Sequence, residues 1–186
     1  FELLKPFAEV HVMSGHTHYA ENNVYDSHYE HVHGAACGAW WNSTINVDGT
    51  PNGYAIYNIK GATITDWVYK GTGLDAQQQI RLYRANDIFM RDYSKNYQFY
   101  YKGDDQIVAN VWNADKDWKI EVYENGIKTG EMTHFDYTGN EKDKSWDAWA
   151  LGYHIGVVGK AELDSNKKPT SYYQRNVRHL YYYTLQ

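Results

Sequence analysis

The chain has 186 residues, a formal net charge of −5, 42% hydrophobic and 22% charged residues, a balance of globular rather than disordered chains that allows one domain or two small ones. The negative charge argues against a nucleic-acid-binding surface, and no stretch approaches the ~20 consecutive apolar residues of a membrane-spanning helix. With one cysteine there is no intrachain disulfide, and Cys37, set among Ala35, Ala36, Gly38 and Ala39, reads as a small buried hydrophobe.

Residues 1–7 read as the last turn of a helix, with Leu3, Leu4 and Phe7 at helical spacing and Pro6 weakening it. The apolar run 8–13 reads as a buried strand. Gly15-His16-Thr17-His18 follows directly. Side chains at i and i+2 of an extended segment point the same way, and neutral imidazole is the commonest side-chain metal ligand. His16 and His18 are therefore the candidate metal ligands, with Gly15 permitting a sharp turn ahead of them. Histidines also cluster here: His11, His28, His31 and His33 lie in the same short stretch. His31-Val32-His33 repeats the spacing, but alternate positions of a strand making ordinary hydrogen bonds account for it.

Trp40 and Trp41 are expected on a strand after the loop, packing into the core or walling a substrate. Asn42-Ser43-Thr44 spells a glycosylation sequon, relevant in a secreted eukaryotic chain. Residues 47–53 form a loop rich in turn formers. Two apolar runs, 54–59 and 63–69, are parted by Lys60-Gly61 and read as a hairpin. Gly71-Thr72-Gly73 and the polar stretch 75–79 then break the pattern, placing a change of domain near residue 73.

Beyond it, 80–83, 97–101, 106–112, 118–124, 127–135, 153–158 and 178–185 are short runs rich in β-branched and aromatic residues, separated by Gly, Asn and Asp. Asn125-Gly126 is the strongest hairpin signal in the chain. Alternation in 118–123 places Trp118, Ile120 and Val122 on a core face. Seven strands over this length suggest an antiparallel β-sandwich.

A strand, Gly15-His16-Thr17-His18 and then short strands, with Tyr29-Glu30-His31-Val32-His33-Gly34-Ala35-Ala36-Cys37-Gly38-Ala39-Trp40-Trp41 behind, resembles the end of the catalytic domain in one bacterial-type group of the calcineurin-like metallophosphoesterases. The resemblance covers about the first 73 residues. It implies a two-metal cluster of Mn, Fe or Zn in the intact enzyme, with His16 on one metal and His18 on the other. It also implies a phosphate-ester substrate, an all-β domain after the catalytic one, and export, since members of the group are often exported. The family's other ligands come from Asp-x-His, Gly-Asp-x-x-Asp and Gly-Asn-His-Asp/Glu motifs, all upstream. Asp26-Ser27-His28 spells the first but trails the loop, and Gly139-Asn140-Glu141 lacks the histidine of the third.

Two histidines carry no charge to balance two bridged cations ~3.5–4 Å apart. The chain is thus expected to hold no cluster alone, and to need the N-terminal part of the same catalytic domain as its partner. The start at Phe1, with no Met and no signal-peptide pattern, fits a piece of a longer protein. The expected architecture is mostly β: the C-terminal strands of an α/β metallophosphoesterase core (1–73), then the accessory β-sandwich (74–186). His11, His28, His31 and His33 are candidates for supporting the ligands or protonating a leaving group.

The 7 Trp and 19 Tyr suggest a different function, a non-catalytic module stacking glycans or peptides on exposed rings, with Tyr172, Tyr173, Tyr181, Tyr182, Tyr183, Trp146 and Trp149 as candidates. Tyrosine also covers half-buried sheet faces, which accounts for the same residues.

Overall fold

A computed structural model describes residues 2–85, 105–135, 145–158, 165 and 175–185. The fold is mostly β. Strand β1 (Val10–Ser14) pairs in parallel with β3 (His28–Val32), and β2 (Glu21–Tyr25) completes the sheet by pairing antiparallel with β3. Parallel pairing is the habit of α/β sheets, and it requires the chain to cross over between β1 and β3, through the loop 15–20 and β2. Asp26-Ser27-His28 is the tight turn between β2 and β3: Asp26 is left-handed (φ 52°) and Tyr25 pairs with His28.

Strands β4 (Gly53–Lys60) and β5 (Thr63–Gly71) form the expected hairpin, with a register shift at Asn58/Ile59. An antiparallel sheet in the order β10-β11-β7-β6 is built from β6 (Ile80–Arg84), β7 (Gln106–Val111), β10 (Thr133–His134) and β11 (Leu180–Thr184). Both its faces are covered. Val108 and Leu180 pack with Ala85, Phe135 and Val177, while Ala109, Val111 and Tyr181 form a second cluster. Two-sided burial is why β7 reads as a nearly continuous apolar run rather than an alternating one. Strands β8 (Glu121–Glu124) and β9 (Ile127–Glu131) are joined by Asn125-Gly126, both at positive φ.

Several expectations need correction. Residues 153–158 are not a strand but a π-helical turn, continuing α1 (Ala148–Gly152). Asp147 caps that helix, its carboxylate accepting from the Ala150 amide at 2.8 Å, and buried Ala148, Ala150 and Leu151 anchor it. The helix hands its geometry on: Tyr153 N–H reaches back to the Ala150 and Trp149 carbonyls, overriding the β propensity of Ile155, Val157 and Val158. Run 118–124 is strand only from Glu121, and Trp118 lies in the preceding turn, 38% exposed. Run 127–135 divides at Met132, whose amide instead bonds the Ile120 carbonyl at 2.8 Å.

The helical turn at the start is a 3-10 turn, Glu2–Leu4, with Leu3 and Phe7 exposed. Trp40 and Trp41 lie on a turn at φ 49° and 64°, not on a strand, and are 53% and 84% exposed. Trp146 and Trp149 pack against the cluster of Ala39, Val47, Ala148 and Leu151. Residues 97–101, Gly139-Asn140-Glu141, Tyr172 and Tyr173 lie outside the described residues.

Loop 46–51 is buried throughout, unusual for a connection because its backbone must find partners away from water. It finds them locally: Asn46 N–H bonds the Thr50 carbonyl at 2.7 Å, and the Asn46 amide spans the Thr50 and Pro51 carbonyls.

Candidate metal loop and the buried hub behind it

His16 and His18 do not follow the alternation of an extended segment, because both are left-handed, at φ 75° and 59°. Such backbone is uncommon for residues other than glycine and costs of order 1–3 kcal/mol. His16 ends up exposed and His18 buried. The His18 ring lies parallel to the Trp40 indole, centroids 4.9 Å apart, and its Nδ1–H donates to the Gly38 carbonyl at 2.5 Å. In the neutral ring this leaves Nε2 with the lone pair, the arrangement in which a backbone carbonyl fixes the tautomer of a metal-binding histidine.

The Gly38 carbonyl is itself tightly placed. Gly38 has φ 59°, and a Cβ there would collide with Asn52 Oδ1 and lie 2.5 Å from the Ser43 carbonyl. Cys37 is half-buried, its Sγ 3.8 Å from His18 Nδ1.

Behind the loop sits a hub absent from the sequence reading. Val47 N–H bonds the His18 carbonyl at 3.2 Å, and Ala20 N–H bonds Asp48 Oδ2 at 2.8 Å. Asp48 also accepts from the Thr50 amide and hydroxyl and from His179 Nε2, the last at 3.0 Å. Burial alone would raise its pKa; the His179 bond and charge, with Thr50 and the Ala20 amide, hold it below the usual carboxylate range.

A second buried carboxylate, Asp147, takes Arg81 and the Asn110 amide, each at 2.5 Å, while Arg81 and Asn110 also donate to the Gly49 and Asp48 carbonyls. Glycine is required at position 49: φ is 88°, and a Cβ would come within 2.5 Å of Arg81 and 2.7 Å of Asp147. The hub thus fixes loop 15–20 against β6, β7, α1 and the start of β11. In sequence, Asp48-Gly49-Thr50 carries only the signature of an exposed turn, which is why its burial was not legible.

The remaining histidines form a separate cluster. His11 Nε2–H donates to Glu9 at 2.7 Å, and its Nδ1 shares a hydrogen bond with His31 Nε2 at 2.8 Å. His31 is fully buried, stacked on Tyr29 at 4.4 Å and met edge-on by Tyr57 and Trp67 from the β4–β5 hairpin. Its Nδ1 has no hydrogen-bond partner among the described residues. Burial, with smaller contributions from His11 and His33, pushes its pKa down to about 4. His33, also lowered by burial, lies 3.1 Å from the Tyr57 hydroxyl. His28 is buried at the start of β3. His11, His31 and His33 therefore pin the hairpin to the sheet and are not brought to His18. Among the described residues, no three His, Cys, Asp or Glu side chains are grouped to hold a metal, so the two loop histidines fit a metal as part of a ligand set only.

The family model for the C terminal of calcineurin-like phosphoesterase matches residues 30–186, and the chain belongs to that family. The match begins on β3, after Gly15–His18, and runs across residue 73. No curated protein and no solved structure matches the chain. No helix among the described residues is long and apolar enough to cross a membrane.

Proposed function

We propose that this chain is the C-terminal part of a metal-dependent phosphoesterase that hydrolyses phosphate esters, and that His16 and His18 are metal ligands of the intact enzyme. The observation that carries the reading is the His18 ring, with Nδ1–H committed to the Gly38 carbonyl and Nε2 left for a cation. Exposed His16, two residues away, is open to a second one. The chemistry supplied by two such cations, Mn, Fe or Zn, is polarisation of the phosphoryl oxygens and activation of a bound water. What this chain contributes is placement: the hub holds the His18 backbone, and Gly38 holds its ring.

The carboxylates that balance the cations come, in this reading, from an N-terminal part carrying Asp-x-His, Gly-Asp-x-x-Asp and Gly-Asn-His-Asp/Glu in that order. Residues 1–73 close the catalytic domain and 74–186 are its accessory β domain, joined through the Asp48–His179 contact and through the bonds that Arg81 and Asn110 donate to the Gly49 and Asp48 carbonyls. Phosphate-ester hydrolysis is expected from the intact enzyme, lost on His16→Ala or His18→Ala, and absent from the isolated chain. Robust hydrolysis by the 186 residues alone would overturn the reading.

A further inference from the structure

A cleft of about 440 Å³ opens between β2, the 113–120 loop, β9–β10 and β11, within the size range of small-molecule sites. Its walls include the half-exposed Trp118 indole, Ile120, Met132 and Tyr181. A narrow recess of about 20 Å³, sharing Asn22, Ala114 and Arg178 with the cleft, reaches Asn113 and His179. That is room for one water or one ligand oxygen.

Asn113 and His179 are both more than nine-tenths buried, and the Asn113 Nδ2 and His179 Nδ1 atoms have no hydrogen-bond partner among the described residues. Buried polar atoms left unmatched cost about 1–3 kcal/mol each, so they call for a partner. Asp48 takes the His179 Nε2–H, which leaves Nδ1 to be matched at the recess together with the Asn113 amide donor, and a hydroxyl both donates and accepts. A hydroxyl satisfies both at once. Asn22 fixes this corner by donating to the Asn113 and Ala114 carbonyls at 3.2 and 2.9 Å.

The rim is charged. Asp115 is engaged by the Tyr29 hydroxyl and the Lys116 amide, Glu131 by Lys128, and Lys116 by Asp117. Lys119 makes no hydrogen bond or ion pair among the described residues, and Arg178, held through Nε by Glu21 at 2.6 Å, has a 64% exposed side chain. Two cationic side chains, Lys119 and Arg178, therefore stand at the mouth, hydroxyl-matching groups lie at the bottom, and an aromatic wall stands between.

We propose that this cleft binds a saccharide carrying an anionic group, its ring against Trp118, a hydroxyl in the recess, and its phosphate or carboxylate on Lys119 and Arg178. The proposal stands apart from phosphoesterase activity, because its readout is binding by the metal-free chain. The full chain is titrated calorimetrically with glucose 6-phosphate, glucuronate, glucose and inorganic phosphate. Saturable binding of at least one anionic sugar is expected, about tenfold tighter than glucose and than inorganic phosphate; comparison of the two sugars separates phosphate from carboxylate as the preferred group. Lys119→Glu should weaken that sugar about tenfold and spare glucose, whereas Trp118→Ala should weaken both. Both residues are exposed, and unchanged urea midpoints confirm folding. The proposal is overturned if neither anionic sugar saturates, as for a recess that holds only water, if inorganic phosphate binds equally well, or if Lys119→Glu leaves binding intact.

Discussion

The two histidine regions of this protein use one side chain in opposite ways. Around His31 the rings pack on one another: His11 and Tyr29 stack with the buried His31 ring, Tyr57 and Trp67 meet it edge-on, and the imidazoles serve as flat packing units. At Gly15–His18 the backbone is left-handed, one ring is exposed, and the other is tethered by a single nitrogen. Local histidine density is the same in both. What distinguishes the candidate ligand is its support: the Gly38 carbonyl tethers its ring, and Val47 and Asp48 hold the backbone at His18 and Ala20, none of them a histidine.

The largest expected effect concerns the support rather than the rings. Asp48→Ala removes the partner of the Ala20 amide, Thr50 and His179 together, and should cost about 3–5 kcal/mol in urea unfolding, the usual penalty for breaking a buried charged network. A loss below about 1 kcal/mol would mean that the hub does not hold the loop.

Acid sharpens the comparison next. His31 has its folded pKa depressed from 6.5 to about 4, so the unfolded chain takes up a proton that the fold refuses. Its contribution is fully present above about pH 6.5 and is lost as pH falls towards 4, by up to roughly 3 kcal/mol. Below 4 both states are protonated and the slope ends. His31→Gln should flatten the stability profile in that window without abolishing its slope, because buried His154 is pushed down to about 4 as well. An unchanged profile would show that His31 is not the buried neutral group described.

Gly38→Ala comes third. Strain and the collision with Asn52 should cost about 1–3 kcal/mol and move the carbonyl away from His18 Nδ1, visible as a changed imidazole tautomer by nitrogen NMR. His16→Ala is the smallest in stability, within about 0.5 kcal/mol, since the side chain is exposed; an unfolding midpoint checks it.

Much of the β framework was legible. The hairpins across Lys60-Gly61 and Asn125-Gly126 follow from local turn chemistry, and β7 from its apolar run. The segment 153–158 was not, because its β-branched residues follow a capped helix whose cap, Asp147, is recruited by Arg81 and Asn110 from distant strands. At the candidate loop, Gly-His-x-His implied the wrong local geometry: alternation presumes extended backbone, and two left-handed residues replace it. Asp48 and His179, 131 positions apart, meet only through tertiary packing.

The most direct test is the metal content of the intact phosphoesterase carrying His18→Ala or His31→Ala, measured by elemental analysis on folded protein. The account predicts that His18→Ala loses metal while His31→Ala keeps the full complement. Full metal in His18→Ala, or its loss in a folded His31→Ala protein, would contradict it.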